Sequence, residues 1–224
     1  MNKCILDSRS CNYQSLRCGC YNTNLRRVPS LRWFGQNMVD IHFLGTGNAF
    51  CPDGRMHSLV LIDGTFLVDA PPTVVPQLRR AGISPAEISD LFITHWHGDH
   101  TFGFPFLLLE RKWISDREGN HELNVHCHSV GSEHLNSLCT LAYPESLKNL
   151  DWLNYNHEKG TTNGWVFERF EVCHQPITEP HGYRFEKDGF VLVHCGDSGP
   201  CENIERLAKE ADVMIVEMGI PDFV

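Results

Sequence analysis

Four side chains able to hold a metal fall in the short run Thr94-His95-Trp96-His97-Gly98-Asp99-His100. Where a strand ends, alternation puts His95 and His97 on one side, so both imidazoles can reach one ion. Gly98 lets the chain turn into a helix, which aims Asp99 and His100 at a second ion a few ångströms away. Imidazole with a hard carboxylate suits zinc, manganese or iron(II). The plain alternative is a surface histidine cluster with no metal. Four ligands in this order, after an apolar run and around a glycine, argue against it.

The elements that must position these residues can be read from the pattern on either side. Leu91 to Thr94 is an apolar run that reads as a buried strand leading straight into His95. From Asp99 the pattern is helical to about Ile114. Upstream, Asp40 to Leu44 reads as a strand closed by Gly45-Thr46-Gly47-Asn48. Ser58–Asp63 and Thr65–Asp69 form a hairpin around Asp63-Gly64. Pro72–Ala81 is a helix that ends at Gly82, and Ser84–Glu87 starts a short second one. Downstream come a strand at Leu123–His128 and a helix at Ser132–Tyr143. Strands follow at Trp165–Cys173, Gly182–Glu186 and Phe190–His194. A helix at Glu202–Glu210 then leads to a last strand, Val213–Glu217. Strand pairs interleaved with helices predict a layered α/β fold.

The 224 residues suit one domain with a sizeable core, and the net charge of −9 argues against a broad basic face for nucleic acid. No apolar run has the ~18 residues of a membrane span. The ten cysteines lack a disulfide-framework spacing, and Cys127, Cys173 and Cys195 read as buried thiols. Free thiols imply a reducing compartment, hence a cytoplasmic protein. Residues 1–37 carry six Arg/Lys, one acidic residue and little periodicity. They read as an irregular leader ahead of a domain at 38–224, with organelle targeting as the alternative.

The run His95-Trp96-His97-Gly98-Asp99-His100 resembles the HxHxDH signature of metallo-β-lactamase-fold hydrolases, and the resemblance extends over residues 41–218. Within that superfamily the chain is most similar to the ribonuclease Z group. Leu44-Gly45-Thr46-Gly47, Gln77-Leu78, Gly103-Phe104-Pro105-Phe106-Leu107-Leu108, His174 with Gly182-Tyr183-Arg184, and Gly196-Asp197-Ser198 follow that group's order. The resemblance implies a four-layer αββα sandwich. It implies two divalent ions, zinc first with manganese or iron as alternatives. His95, His97 and His174 would hold one ion, Asp99 and His100 the other, and Asp197 would bridge them. His174 ends a strand-like run and Asp197 follows another, which agrees with such roles. The implied activity is phosphodiester hydrolysis, with tRNA 3′ processing as the group's reaction and a homodimer as its assembly.

A water held between two divalent ions loses a proton near neutral pH and becomes a strong nucleophile. Asp99 could both bind metal and accept that proton. Asp69 ends a strand beside the site and reads as a carboxylate that orients a ligand imidazole. Arg184 is a candidate phosphate partner, with a surface ion pair as the alternative. His181 is a candidate substrate contact. His126, His128 and His194 read as structural. Two departures stand out. The group expects a further histidine after the last helix, and none follows His194, so the expected fold lacks its last helix and strand. The group's long arm between the third and fourth motifs is also missing, since only Tyr183 to Gly196 separate them. Small cyclic phosphodiesters, or a thioester or lactone, are the alternative substrates. A degenerate, non-catalytic subunit is the alternative outside enzymes.

Overall fold

A computed structural model of the chain describes residues 2–7, 30–34, 38–157 and 159–218. They fall into two compact units, one built on 38–157 with 30–34, the other on 159–218 with 2–7. Part of the segment read as an irregular leader is therefore in strands: β1 (Asn2–Asp7) in the second unit and β2 (Ser30–Phe34) in the first. The remaining leader residues, and with them Cys11, Cys18 and Cys20, lie outside the described residues.

In the first unit, β2, β3 (Met38–Gly45), β4 (Leu59–Ile62) and β5 (Phe66–Val68) run antiparallel in sequence order. The β4–β5 turn is tight because Asp63 and Gly64 both take positive φ, 48° and 74°. That is the geometry an Asp-Gly pair supplies at little steric cost. The chain then crosses over through α1 (Val74–Ala81), which stops where Gly82 turns left-handed at φ 75°. It returns parallel as β6 (Asp90–Phe92), after a single 3-10 turn at Pro85–Glu87 where the capping pattern predicted a short helix.

The helix expected from Asp99 to Ile114 is three pieces: α2 (Gly98–Thr101), α3 (Phe104–Glu110) and a π-helical turn at Arg111–Ser115. Pro105 starts α3 rather than continuing α2, because it has no amide to give to the preceding turn. Next come β7 (Leu123–His126), α4 (Gly131–Ala142) and the strand β8 (Leu153–Asn156), all parallel pairings. The seven strands lie in the order β2 to β8. Alternate residues Leu59, Leu61, Leu67, Leu91, Leu123 and Val125 form one apolar face, packed with Val74 and Leu78 of α1, Phe104 and Leu107 of α3, and Leu135 of α4.

The second unit holds a six-stranded sheet. Its strands are β9 (Gly160–Thr162), β10 (Trp165–Glu171), β11 (His181–Lys187), β12 (Phe190–His194) and β13 (Val213–Met218), with β1 antiparallel to β13 at its edge. The β9, β10, β11 and β12 run is antiparallel, and β12 pairs parallel with β13 across α5 (Glu202–Ala208). Leu207 of α5 and Ala211 pack with Val191, Val193 and Met214. Strands β8 and β9 escape a periodicity reading because both are short, polar and only half-buried.

The six described cysteines assigned a redox state are free thiols. Cys127 and Cys195 are buried as expected, but Cys173 is exposed. Strand β10 ends at Glu171, so the alternation that would have turned Cys173 inward has already stopped. No helix among the described residues is long and apolar enough to cross a membrane.

Candidate metal centre

Strand β6 ends at Phe92, and its extension carries Thr94 and His95, both fully buried, into the turn before α2. The position of these residues is set from a distance by Asp69, at the end of β5. Asp69 takes a left-handed backbone, φ 70°, and is buried. Its amide donates to Phe92 O at 2.8 Å, and the next amide, Ala70, donates to His100 O at 2.7 Å. Gly103 N in turn donates to Ala70 O at 2.8 Å. A Cβ at Gly103 would sit 1.8 Å from Pro71 O, so only glycine allows this approach. The loop after β5 is thereby clasped to the end of β6 and to the C-terminal end of α2.

The Asp69 carboxylate fixes the tautomers of two histidines. Its Oδ2 accepts from His100 Nδ1 at 2.8 Å, which leaves His100 Nε2 without a proton and open as a ligand. Its two oxygens also accept from Thr94 Oγ1, each at 3.0 Å, and Oδ1 accepts the Thr94 amide at 2.8 Å. The Thr94 hydroxyl, having given its proton to Asp69, can only accept from His95 Nδ1 at 3.0 Å. His95 Nε2 is therefore also a bare lone pair. One buried carboxylate presents two imidazoles in the form a cation needs.

The candidate ligand atoms converge. His95 Nε2 and His97 Nδ1 are 3.0 Å apart, and Asp99 Oδ2 lies 3.5 Å from His100 Nε2. Ligand atoms of His95 and His97, and of His95 and His100, lie within 4.8 Å of each other. Facing ring nitrogens with opposed lone pairs repel unless a proton or a cation lies between them. The donor set, nitrogen-rich with one carboxylate, fits a borderline divalent ion.

His57 lies in the wall of this unit. Its ring bonds Thr73 Oγ1 at 2.9 Å, and Cys51 Sγ is 3.5 Å from Nε2. Burial lowers its pKa, with the Asp99 carboxylate pulling the other way and His100 adding to the fall. Gln77 Nε2 donates to His57 O at 2.7 Å and receives the Thr73 hydroxyl on Oε1 at 2.9 Å. A Cβ at Gly45 would meet His57 O at 2.0 Å. This explains why Gly45 and Gln77, so far apart in sequence, both belong to the recognisable pattern. Sequence reasoning had no signal for His57 itself.

In the second unit, His174 follows β10 and Asp197 follows β12, and their loops are stitched together. Gly199 N donates to Cys173 O at 2.8 Å, and Cys173 N to Ser198 Oγ at 3.1 Å. The Ser198 amide is held by Glu217 Oε2 at 3.2 Å. Residues adjacent to His174 and Asp197 are thus fixed to one another. His181 is buried at the start of β11, its Nδ1 donating to Glu179 O at 2.6 Å. The Arg184 guanidinium is 2.8 Å from the Glu186 carboxylate, the ion-pair alternative for this residue. His194 is buried and accepts the Gly196 amide on Nδ1 at 3.2 Å. His126 bonds the buried Asp90 carboxylate at 2.8 Å and stacks on Phe92.

Comparison with known proteins gives concordant results. The model of the family described as Anti-Pycsar protein Apyc1 matches residues 39–176. A ribonuclease Z of Mycolicibacterium gilvum (strain PYR-GCK) is 28% identical over 201 residues, 80% of this chain and 68% of that protein. A ribonuclease Z of Methanothermobacter thermautotrophicus is 25% identical over 229 residues, 80% of this chain and 74% of its own length. Among solved structures, the metallo-β-lactamase fold protein YhfI from Bacillus subtilis superposes with a TM-score of 0.61 at 16% identity, covering 76% of this chain and 68% of that one. The short form of human tRNase Z gives 0.58 at 21% identity, with 73% and 71% covered.

Proposed function

The chain belongs to the Anti-Pycsar protein Apyc1 family and has the metallo-β-lactamase fold, and from that premise we propose that it is a metal-dependent phosphodiesterase. The observation that carries this reading is the Asp69 network, which holds the protons of His95 and His100 on Nδ1 and so leaves their Nε2 atoms deprotonated. The ligands proposed are His95, His97 and His174 for one ion, Asp99 and His100 for a second, and Asp197 between them. Two ions, zinc by preference, would supply Lewis acidity toward a phosphoryl oxygen and an activated water.

The chain's own residues do the positioning. Asp69 and Thr94 hold two imidazoles rigid, at no cost in reorganisation when substrate arrives. Asp99, partly exposed beside His100, is proposed as the proton acceptor for the attacking water as well as a ligand.

Two finer readings differ in substrate. Endonucleolytic tRNA 3′ processing rests on the ribonuclease Z relatives. Hydrolysis of a small cyclic phosphodiester rests on a structural observation, and we favour it. Strands β11 and β12 are joined by a tight turn at Asp188-Gly189, both at positive φ, so this segment offers no arm to grip a large nucleic acid. Arg184 and His181 stay as proposed substrate contacts on β11. A homodimer is proposed as the assembly, supported by an apolar groove in which Phe106, Trp113 and Ile114 are exposed beside Val75. The free thiols support a cytoplasmic setting.

The test is elemental analysis of the purified chain, followed by assay with cyclic nucleoside monophosphates, a precursor tRNA with a 3′ trailer, and a thioester. About two zinc ions per chain with turnover of a phosphodiester supports the reading. Thioester turnover alone refutes it. No metal after zinc reconstitution leaves the non-catalytic reading in its place.

A further inference from the structure

Cys173 and Cys201 lie on two segments of the second unit that run side by side. Asn203 Nδ2 donates to Glu171 O at 2.9 Å, and Gly199 N donates to Cys173 O at 2.8 Å. These two bonds flank Val172 on one segment and Cys201 on the other. Cys173 N also donates to Ser198 Oγ at 3.1 Å. Val172 and Cys201 belong to one buried cluster with Phe170 and Leu207. The pairing brings the two sulfurs together: the Cys173 thiol hydrogen-bonds the Cys201 sulfur, and the Cys173 amide is aimed at the same atom.

Both cysteines are free thiols, Cys173 exposed and Cys201 buried behind it. Burial pushes the Cys201 thiol up, but the Ile204 amide, the Cys173 thiol and amide, and the Asn203 amide more than offset it, so its pKa falls below the ordinary 9.0. Cys127, Cys139 and Cys195 are buried thiols, and an apolar interior keeps a thiol inert. An accessible thiol held against a second sulfur is the arrangement in which oxidation stops at a disulfide.

We propose that Cys173 and Cys201 are a redox modification site, which a hydroperoxide converts to a disulfide. The Cys201 sulfur attacks the peroxide and breaks its O–O bond. The alkoxide leaves with the Cys201 proton as an alcohol (water, for hydrogen peroxide), and Cys201 becomes a sulfenic acid. The Cys173 sulfur then displaces hydroxide from it, and the Cys173 proton leaves with that hydroxide as water. Two thiols lose two electrons, and the peroxide gains them. In a reducing compartment the pair rests as thiols and the disulfide is transient. Cys173 directly precedes His174, and closing the bond draws the sulfurs to ~2 Å. The disulfide therefore displaces the backbone of a proposed metal ligand. This coupling rests on the metal-centre reading; the disulfide itself does not.

The experiment treats the reduced chain with hydrogen peroxide, alkylates the remaining thiols and maps them by peptide mass spectrometry with fragmentation. A Cys173–Cys201 cross-link, two hydrogens lighter than the paired thiol peptides, is expected. Zinc affinity, measured by chelator competition, is expected to fall about 10-fold on oxidation and to return with a phosphine reductant. Cys173→Ser and Cys201→Ser, treated alike, are expected to keep the zinc affinity each had before peroxide. If both cysteines stay open to alkylation, or Cys173 passes to sulfinic acid while Cys201 stays a thiol, the pair is refuted. A cross-link with unchanged zinc affinity refutes the coupling, as does an equal fall in the two serine variants. If the reduced chain binds no zinc, the proposed function fails and the coupling with it, while the mass spectrum still decides the disulfide.

Discussion

Replacing Asp69 by Asn isolates the one residue on which the centre's order depends. Asparagine matches aspartate in shape and tolerates the left-handed backbone at φ 70°, so the loop can persist. The amide oxygen can still accept the Thr94 N–H at 2.8 Å. The amide NH2 must then face His100 Nδ1, now 2.8 Å away and donating. Two donors cannot face each other, so His100 moves its proton to Nε2 and loses the lone pair proposed to bind metal, or rotates away. Loss of such a supporting partner costs about 10- to 100-fold in metal affinity, or about 1.4 to 2.7 kcal/mol at ~1.4 kcal/mol per decade. Competition against a chromogenic zinc chelator measures this, and urea denaturation of the metal-free proteins gives the separate folding cost. Asp69→Ala makes the control, because it strands the Thr94 and His100 donors in a buried site. It should lose about 3 kcal/mol or more of stability, at ~1–3 kcal/mol per unsatisfied group. If Asp69→Asn binds zinc with wild-type affinity, the tautomer argument is wrong and the buried carboxylate serves the fold alone.

Other expectations follow from the same contacts. Gly103→Ala drives a Cβ into Pro71 O, and should cost about 3 kcal/mol and weaken zinc binding too, because the Ala70 clasp on His100 passes through it; calorimetric melting with and without zinc reads both. Arg111 is fully buried, donates to Ile88 O and to His121 O at 2.8 Å, and lies 4.9 Å over Trp152; Arg111→Met should destabilise by about 2–4 kcal/mol because both carbonyls lose their buried donor, at ~1–3 kcal/mol per unsatisfied group, measured by urea unfolding. Burial pushes the Asp116 carboxyl up, but the His121 side chain and the Asn120 and His121 amides more than offset it, so its pKa falls below the ordinary 3.8. The folded state therefore binds fewer protons there, and this stability is present above pH 3.8 and fades as pH drops through the lower folded value. The destabilisation in Asp116→Asn should accordingly shrink between pH 7 and the acid limb, and a constant difference would contradict the assignment. Stripping metal with a chelator should lower the melting temperature, and zinc at 100 times Kd should return about 2.7 kcal/mol; no thermal shift would count against a metal centre.

Much of the first unit was legible because its signals are local. The Asp63-Gly64 turn needs two adjacent residues at positive φ, and Gly82 ends α1 for the same kind of reason. His95, His97, Asp99 and His100 lie within one strand end and one helical turn, so backbone periodicity alone brings their side chains together.

The sequence alone determined which atoms could bind a cation and in which order, since a ligand run of this kind is set by bond geometry over a few residues. Tertiary structure alone decided what state those atoms are in. The tautomers of His95 and His100 depend on Asp69, 25 residues from Thr94 and 31 from His100. Strand pairing β5–β6 brings them within 2.8 Å of it. The same holds for Arg184, whose charge is met by Glu186, and for Cys173, exposed because its strand ended two residues early. A hydrogen bond acts over about 3 Å and is blind to sequence separation, so the protonation of a ligand cannot be read until the fold has chosen its neighbours.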